Sequence, residues 1–185
     1  MKHYLFFTFS IILMCIFTGF GSSGQVYQDT FRQAKRGSTI GYTLEHPLHT
    51  VQGISSEVSS QLTLSQDGRK ISKVEVRVPV RSFDSGNRRR DRDMLKVTEA
   101  ERYPEVTFIS SQITEQDGAL AVTGRLTFHG ITREIQLIAQ TQWQGESLLV
   151  TGEFDISLEA YQIKRPSILT MKVKDMLQVR FRMVY

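Results

Sequence analysis

Histidines, a polar turn and a run of arginines are the groups in this 185-residue chain that could transfer a proton or hold a metal or an anion. His46 and His49 lie close together, but a zinc site requires a third protein ligand, which no nearby residue supplies. His129 stands in a His129-Gly130 pair typical of a hairpin turn, so we interpret it as a turn residue. The sequence has no Gly-x-Ser-x-Gly elbow, glycine-rich phosphate loop or His-Glu-x-x-His pattern. We therefore predict a protein that is not an enzyme and that uses no metal or cofactor.

The polar turn and the arginine run share one connection, residues 84–101. Asp84 and Asn87 suit turn formation and helix capping, which explain them better than catalysis does. The run that follows, residues 88–93, has four arginines interrupted by Asp91 and Asp93, and we interpret it as the solvated start of a helix over about residues 90–101. With 23 basic and 19 acidic side chains, the net charge of +4 gives no reason to expect a nucleic-acid partner.

The N-terminus resembles an export signal. A basic start precedes an apolar run over residues 5–20, and small residues follow up to Gly24. This run is shorter than the ~20 residues that span a membrane, so a cleaved signal peptide over residues 1–24 is favoured over an uncleaved anchor. The single cysteine, Cys15, lies inside it, which leaves the predicted mature domain, residues 25–185, without disulfides or thiolate sites.

The elements that must position any site are strands. Apolar and polar residues alternate strictly in several rows, which is typical of antiparallel sheet with one face in water. The rows run over residues 40–44, 74–80, 135–143, 148–158 and 177–183. Asp67-Gly68 and Asp117-Gly118, like His129-Gly130, are signals of tight hairpins. About eight strands with short turns are compatible with a sandwich or a closed barrel.

Several segments, in the same order along the chain, resemble the YceI-like family of lipocalin-like, polyisoprenoid-binding periplasmic proteins. They are Ile40 to His46 with Gly53, the Ser82-to-Asn87 turn with the charged helix and Tyr103-Pro104-Glu105-Val106-Thr107-Phe108, the Gly124-to-Thr132 hairpin, and Tyr161 to Ser167. The resemblance implies an all-β protein, an extended eight-stranded antiparallel lipocalin-like barrel with one short helix in a connection. It also implies export, with the periplasm of a Gram-negative bacterium as the expected location. Ser55, Val58 and Ser60 make the strand after Gly53 more polar than is usual in the family.

The interior of an eight-stranded barrel is either filled by side chains or holds one ligand. We expect this one to bind, transport or sequester an isoprenoid lipid, either a polyprenyl chain or a quinone tail, without stable membrane insertion. The alternative is an interaction or stress-protective barrel with no bound lipid, and a contact of the arginine run with a lipid headgroup also stays open. The oligomeric state is open too, with a homodimer as one alternative.

The predicted apolar lining shares the inward face of the strands. It consists of Tyr42, Leu44, Val76, Val78, Phe108, Leu126, Phe128, Leu137, Trp143, Phe154, Ile156, Leu169, Met171 and Phe181. His46 has the strand parity of Tyr42 and Leu44, so it is predicted to face inward near a strand end, as a polar ligand contact at the mouth. The alternative for His46 is a structural role, bonded to a backbone carbonyl or to Tyr42.

Overall fold

The computed structural model describes residues 30–65, 70–168 and 170–185. The predicted signal peptide, the Asp67-Gly68 turn and Leu169 lie outside these residues. Within them, no helix has the length and apolarity needed to cross a membrane.

Antiparallel strands make up most of the described chain. The strands are β1 (Thr30–Gln33), β2 (Thr39–His46), β3 (His49–Ser55), β4 (Ser59–Leu64), β5 (Ile71–Pro79), β6 (Glu105–Gln116), β7 (Ala119–Phe128), β8 (Ile131–Gln144), β9 (Ser147–Ser157), β10 (Ser167–Ile168), β11 (Met171–Lys172) and β12 (Met176–Val184). Ten of them form one curled sheet in the order β1-β4-β5-β6-β7-β8-β9-β12-β2-β3, while β10 and β11 form a separate hairpin. The all-β, lipocalin-like fold predicted from the sequence is confirmed.

The two edges of the sheet belong to one long interrupted hairpin. Its outer half pairs β2 with β3, from His46 opposite His49 to Ile40 opposite Ser55. Its inner half pairs β1 with β4, and the Ala34 amide continues that ladder by donating to the Ser60 carbonyl at 2.7 Å. The outer half is joined to β12 and the inner half to β5, so the hairpin links the two ends of the curled sheet. Counted as interrupted strands, β1–β2 and β3–β4 reduce the ten segments to the eight predicted.

Buried serines explain the polar stretch after Gly53. Ser55 Oγ lies 2.6 Å from Ser82 Oγ and accepts a hydrogen bond from the Glu57 amide at 3.1 Å. Ser60 Oγ lies 2.5 Å from the Tyr185 hydroxyl. The hydrogen-bonding groups of these hydroxyls are paired with one another where the β3–β4 strand is interrupted. The serines therefore do not leave unpaired polar groups in the barrel interior.

Two predicted turns and the helix cap are present. Asp117 and Gly118, and likewise His129 and Gly130, all have positive φ angles, between 51° and 77°, as a two-residue hairpin turn of the I′ type requires. The helix α1 (Arg88–Val97) begins after Asn87, whose side chain accepts from the amides of the second and third helical residues at 3.0 and 3.2 Å. The helix starts two residues earlier than predicted, directly after its cap. It also ends earlier than predicted, because Glu99 takes a positive φ of 46°, which does not continue an α-helix.

The connection from β5 to β6 places α1 across one end of the barrel. Pro79 is the last residue of β5 and lacks the donor that would continue the ladder. Buried apolar side chains form two clusters inside the sheet, one beneath α1 and one at the opposite end around Leu62, Leu148 and Tyr185. The candidate site is the space inside the barrel that these two clusters and α1 surround.

Candidate apolar ligand cavity

A cavity of about 490 Å³, which we call the outer cavity, opens beneath α1. Its walls come from β2, β3, β5, β6, β7, β9, β10 and β12, together with Met94 and Val97 of the helix. The volume lies within the range of small-molecule sites, and the wall is overwhelmingly apolar. The period-two alternation of the strands produces this wall, because every second side chain points inward.

A second cavity of about 90 Å³, the inner cavity, lies deeper in the barrel. The two cavities share wall residues, which form a neck between them: Ile40, Val78, Val106, Leu126 and Phe154. The Phe154 ring also packs against the Phe181 ring at the inner side, with centroids 6.4 Å apart. The two cavities therefore adjoin each other along the barrel interior, and the side chains of the neck between them are one phenylalanine and four branched aliphatic residues.

Tyr42 and Gly53 shape the wall nearest the helix. A Cβ atom on Gly53 would come within 2.5 Å of the Tyr42 ring, so only glycine lets this ring lie flat across β3. The Tyr42 ring also packs against Phe83 at a centroid distance of 5.5 Å. Burial, and then the nearby Asp91 carboxylate, raise the pKa of Tyr42, so its hydroxyl stays neutral at the cavity wall.

The rim of the outer cavity, which we call the mouth, is polar on the helix side. Its polar residues are Asn87, Arg89, Arg90 and Asp93 from the helix region, His49 from β3 and Ser167 from β10. Arg90 is held by the preceding loop, with Nε donating to Ser85 Oγ at 2.9 Å and Nη2 donating to the Ser85 carbonyl at 2.6 Å. Ser85 in turn donates from its amide to the Asp91 carboxylate at 3.1 Å.

Most of the predicted lining residues lie on these walls. Tyr42, Leu44, Val78, Leu126, Phe128, Phe154 and Ile156 line the outer cavity. Val76, Phe108, Leu137 and Phe181 line the inner one, together with three residues of the first group. Their role as ligand contacts remains a prediction.

The prediction is wrong for Trp143 and Met171. Trp143 has the inward parity of Leu137, but it lies near the end of β8, is 50% exposed, and carries the Arg32 guanidinium 5.1 Å from its ring centroid. Met171 belongs to the separate β10–β11 hairpin and is 36% exposed. Neither side chain lines the outer or the inner cavity. For Trp143 the reason is that parity fixes the face of a strand and not the height along the barrel, whereas Met171 lies outside the main sheet.

His46 is also not a polar contact of the cavity. Its side chain is buried, Nδ1 accepts from the Leu48 amide at 3.2 Å, and Nε2 lies 3.0 Å from the Met171 carbonyl. An Nδ1 that accepts places the proton on Nε2, which then donates to that carbonyl, so both ring nitrogens are used. His46 therefore has the structural role that the sequence left open as an alternative. The neighbouring His49 is the histidine that lies at the mouth of the outer cavity.

Sequence analysis missed the helix residues of the cavity. The sequence predicts a solvated helix start for the arginine run, whereas Arg89 and Arg90 line the mouth. The spacing of Arg90, Met94 and Val97 places them on one helical face, and this was the available signal.

The described residues contain no group of three or more His, Cys, Asp or Glu side chains that could hold a metal. His129 Nδ1 lies 2.9 Å from the Tyr161 carbonyl, and its ring packs edge-on against Tyr103. This histidine therefore packs the β7–β8 turn against the 159–161 segment and lies apart from the cavity walls.

Comparison with known proteins agrees with this architecture. The profile of the YceI-like domain matches residues 31–185. A UPF0312 protein of Vibrio campbellii is 29% identical over 135 residues, 68% of each chain, and Protein YceI of Salmonella agona is 23% identical over 150 residues, 78% of this chain and 75% of the relative.

Solved structures share the fold. BcnA of Burkholderia cenocepacia superposes with a TM-score of 0.72 at 22% identity, covering 80% of this chain and 96% of its own. A polyisoprenoid-binding domain of Saccharophagus degradans, implicated in plant cell wall breakdown, superposes with a TM-score of 0.67 at 15% identity, covering 85% and 98%.

Proposed function

Since this chain belongs to the YceI-like domain family, we propose that it is a lipid-binding protein that holds an isoprenoid chain in its outer cavity. The observation that carries the proposal is an apolar space of about 490 Å³ enclosed by strand side chains and covered by α1. A filled interior would have favoured the alternative of a barrel that acts only through its surface.

The size of the outer cavity sets the length of chain that it can bury. At roughly 30 Å³ per heavy atom, the volume that liquid water gives each molecule, 490 Å³ holds about 16 heavy atoms. This corresponds to three isoprene units. Each buried CH₂ contributes about 0.8 kcal/mol, so a chain of this length would bind without specific polar contacts.

The setting of this activity is part of the proposal. Residues 1–24 would direct export, and the periplasm of a Gram-negative bacterium is the proposed location. There the protein would carry or sequester a lipid that water does not dissolve, either a polyprenyl chain or a quinone tail. No catalytic step is proposed.

Uptake by delipidated protein tests the proposal. We expect the refolded protein to bind farnesol or geranylgeraniol at a ratio of one to one, measured by titration calorimetry or native mass spectrometry. Leu44→Trp places a larger side chain in the outer cavity and removes room for several carbons, so binding should weaken about tenfold or more.

Thr43→Trp is the matched control. Thr43 is the neighbouring β2 residue, does not line the cavity, and pairs with Gln52 and Gln178. The Thr43→Trp variant should bind farnesol and geranylgeraniol as the wild-type protein does. A folded, delipidated protein that takes up neither prenol would overturn the proposal.

A further inference from the structure

Outside the cavity, the same end of the barrel carries exposed apolar and basic side chains on the β2–β3 turn and around the β10–β11 hairpin. We propose that this surface docks reversibly on an anionic lipid bilayer. It consists of Leu48, Met171, Met176, Lys164 and Lys172, and we call it the docking surface. Docking itself needs no bound lipid, whereas its use in lipid exchange rests on the proposed function.

The three apolar side chains of the docking surface are open to water. Leu48 is 58% exposed, Met176 50% and Met171 36%. Leu48 lies in the turn between β2 and β3, and Met176 begins β12 next to Leu177, which pairs with Leu44 of β2. Single exposed apolar residues are common on protein surfaces, but three at one end of a barrel indicate an interaction site.

His46 holds the two apolar tips together. Its buried ring accepts from the Leu48 amide through Nδ1 at 3.2 Å and donates through Nε2 to the Met171 carbonyl at 3.0 Å. The Lys174 amide donates to the Glu45 carbonyl at 2.7 Å, which ties the segment after β11 to β2. Because both backbones are fixed, the Leu48 and Met171 side chains meet a partner without the cost of ordering a loop.

The cations of the docking surface suit an anionic partner. Residues 160–174 contain four basic side chains and no acidic one. Two of the four, Lys164 and Lys172, are exposed, and neither makes a side-chain hydrogen bond or ion pair with any residue in the described part of the chain. Free lysines beside exposed apolar side chains are typical of proteins that bind the interface of an anionic bilayer.

The carboxylates near the docking surface have contacts of their own. Glu45 pairs with Lys174, and the Glu159 carboxylate lies 2.8 Å from Arg165 Nε. Asp175 accepts from the Glu159 amide at 2.8 Å. The two free lysines therefore remain against one further carboxylate, and the docking surface keeps a net positive charge.

The position of the docking surface favours a bilayer over a protein partner. His49, Pro166 and Val173 line the outer cavity, so the β2–β3 turn and the β10–β11 hairpin both border the mouth. A prenyl tail that leaves the cavity here would enter the bilayer without exposing its CH₂ groups to water. A second copy of the chain, bound face to face, would instead bring the free lysines of both copies together, and like charges repel.

Vesicle binding by the delipidated chain tests the proposal. Vesicles of phosphatidylcholine alone are compared by flotation with vesicles of one part phosphatidylglycerol to three parts phosphatidylcholine. We expect binding to the anionic vesicles to be about tenfold tighter or more, since two free lysines act near the bilayer surface. This preference should shrink as salt rises. Binding that is no tighter to the anionic vesicles would overturn the proposal.

A matched pair of double variants tests the apolar side chains. Leu48→Ser with Met171→Ser should weaken binding to the anionic vesicles about tenfold or more, because both side chains lose their apolar contact with the bilayer. Phe31→Ser with Ile138→Ser is the control, since these side chains are 57% and 53% exposed and lie on β1 and β8, which do not line the mouth. An equal loss in the two double variants, both folded by circular dichroism, would overturn the proposal.

A second matched pair tests the charges. Lys164→Gln with Lys172→Gln should remove most of the preference for anionic vesicles. Lys35→Gln with Arg36→Gln is the control, because these exposed cations precede β2 and so lie at the opposite end of the barrel from His46. A preference that survives the loss of Lys164 and Lys172 would contradict the proposed surface.

Transfer of a fluorescent prenyl probe from loaded protein to vesicles separates docking from the proposed function. We expect the transfer rate to rise with the concentration of anionic vesicles and to fall when Leu48 and Met171 are both replaced by serine. A rate that ignores vesicle concentration would overturn the use of the docking surface in lipid exchange. Protein that floats with vesicles but binds no prenyl probe would reject the proposed function and support docking.

Discussion

The volume of the outer cavity predicts a limit on the chain length that gains affinity. About 16 heavy atoms fit in 490 Å³ at roughly 30 Å³ each. A ten-carbon geranyl chain therefore leaves space unfilled, and a fifteen-carbon farnesyl chain fills it. At about 0.8 kcal/mol per CH₂, the five added carbons contribute up to ~4 kcal/mol, or close to a thousandfold in affinity. Ordering of the chain will reduce this figure.

The next five carbons should gain much less. Beyond the neck, the inner cavity of about 90 Å³ holds about 3 heavy atoms by the same measure. Three carbons at about 0.8 kcal/mol each add up to ~2.4 kcal/mol, so we expect geranylgeraniol to bind at most about fiftyfold more tightly than farnesol before the cost of ordering the chain. Phe154 belongs to the neck, so Phe154→Leu should widen it and increase the gain from the longer chain.

Competition against a fluorescent prenyl probe measures the affinities of geraniol, farnesol and geranylgeraniol on one protein preparation. The expected rise in affinity is steep between geraniol and farnesol and much shallower between farnesol and geranylgeraniol. Phe31→Leu, at an exposed site on β1, is the control for a general effect of removing a phenyl ring. An affinity that rises with constant slope across all three alcohols, or that ignores length, would refute the idea that these two cavities hold the chain.

Three further predictions concern the scaffold. Gly124→Ala would place a methyl 2.4 Å from the Phe108 ring and 2.7 Å from a backbone carbonyl of β6, so the free energy of unfolding in urea should fall by about 1–3 kcal/mol; an unchanged midpoint would contradict the packing described. Burial raises the pKa of Tyr185 from 10.0 to about 12, against the smaller lowering by its Ser60 hydrogen bond. Because the folded-state pKa is the higher one, this stabilisation is complete below pH 10 and is lost as pH rises through about 12, and Tyr185→Phe should make stability flatter with pH over that interval. Asn87→Ala removes the cap of α1 and should cost about 1 kcal/mol, measured by urea unfolding, whereas no loss would show that the helix needs no cap.

The strands and most of the cavity wall were predictable because alternation is a local property. The rows containing Val78, Phe154 and Val179 each place one face inward, whatever the order of strands in the sheet. The cap at Asn87 and the turn at Asp117-Gly118 were likewise predictable, since both depend on the residue types at the turn itself.

The sequence-based predictions are wrong or incomplete where contacts between residues far apart in sequence determine the position of a side chain. Trp143 has the correct parity, but nothing in its neighbourhood fixes how far along the barrel axis it lies. The His46 ring is hydrogen-bonded to the Met171 carbonyl, 125 positions away in sequence. That carbonyl belongs to the β10–β11 hairpin, which the alternation of apolar and polar residues does not predict. Arg89 and Arg90 lie over the cavity because of the way α1 packs on the barrel, which depends on the whole connection from β5 to β6.

The most direct test of lipid binding is native mass spectrometry of this 185-residue chain, expressed with residues 1–24 in a Gram-negative host and purified from the periplasm without denaturant. We predict a complex with one lipid per chain, whose mass is lost on organic extraction and whose extracted ligand contains a prenyl chain. Protein recovered from the periplasm at the mass of the polypeptide alone, with no extractable lipid, would contradict the account.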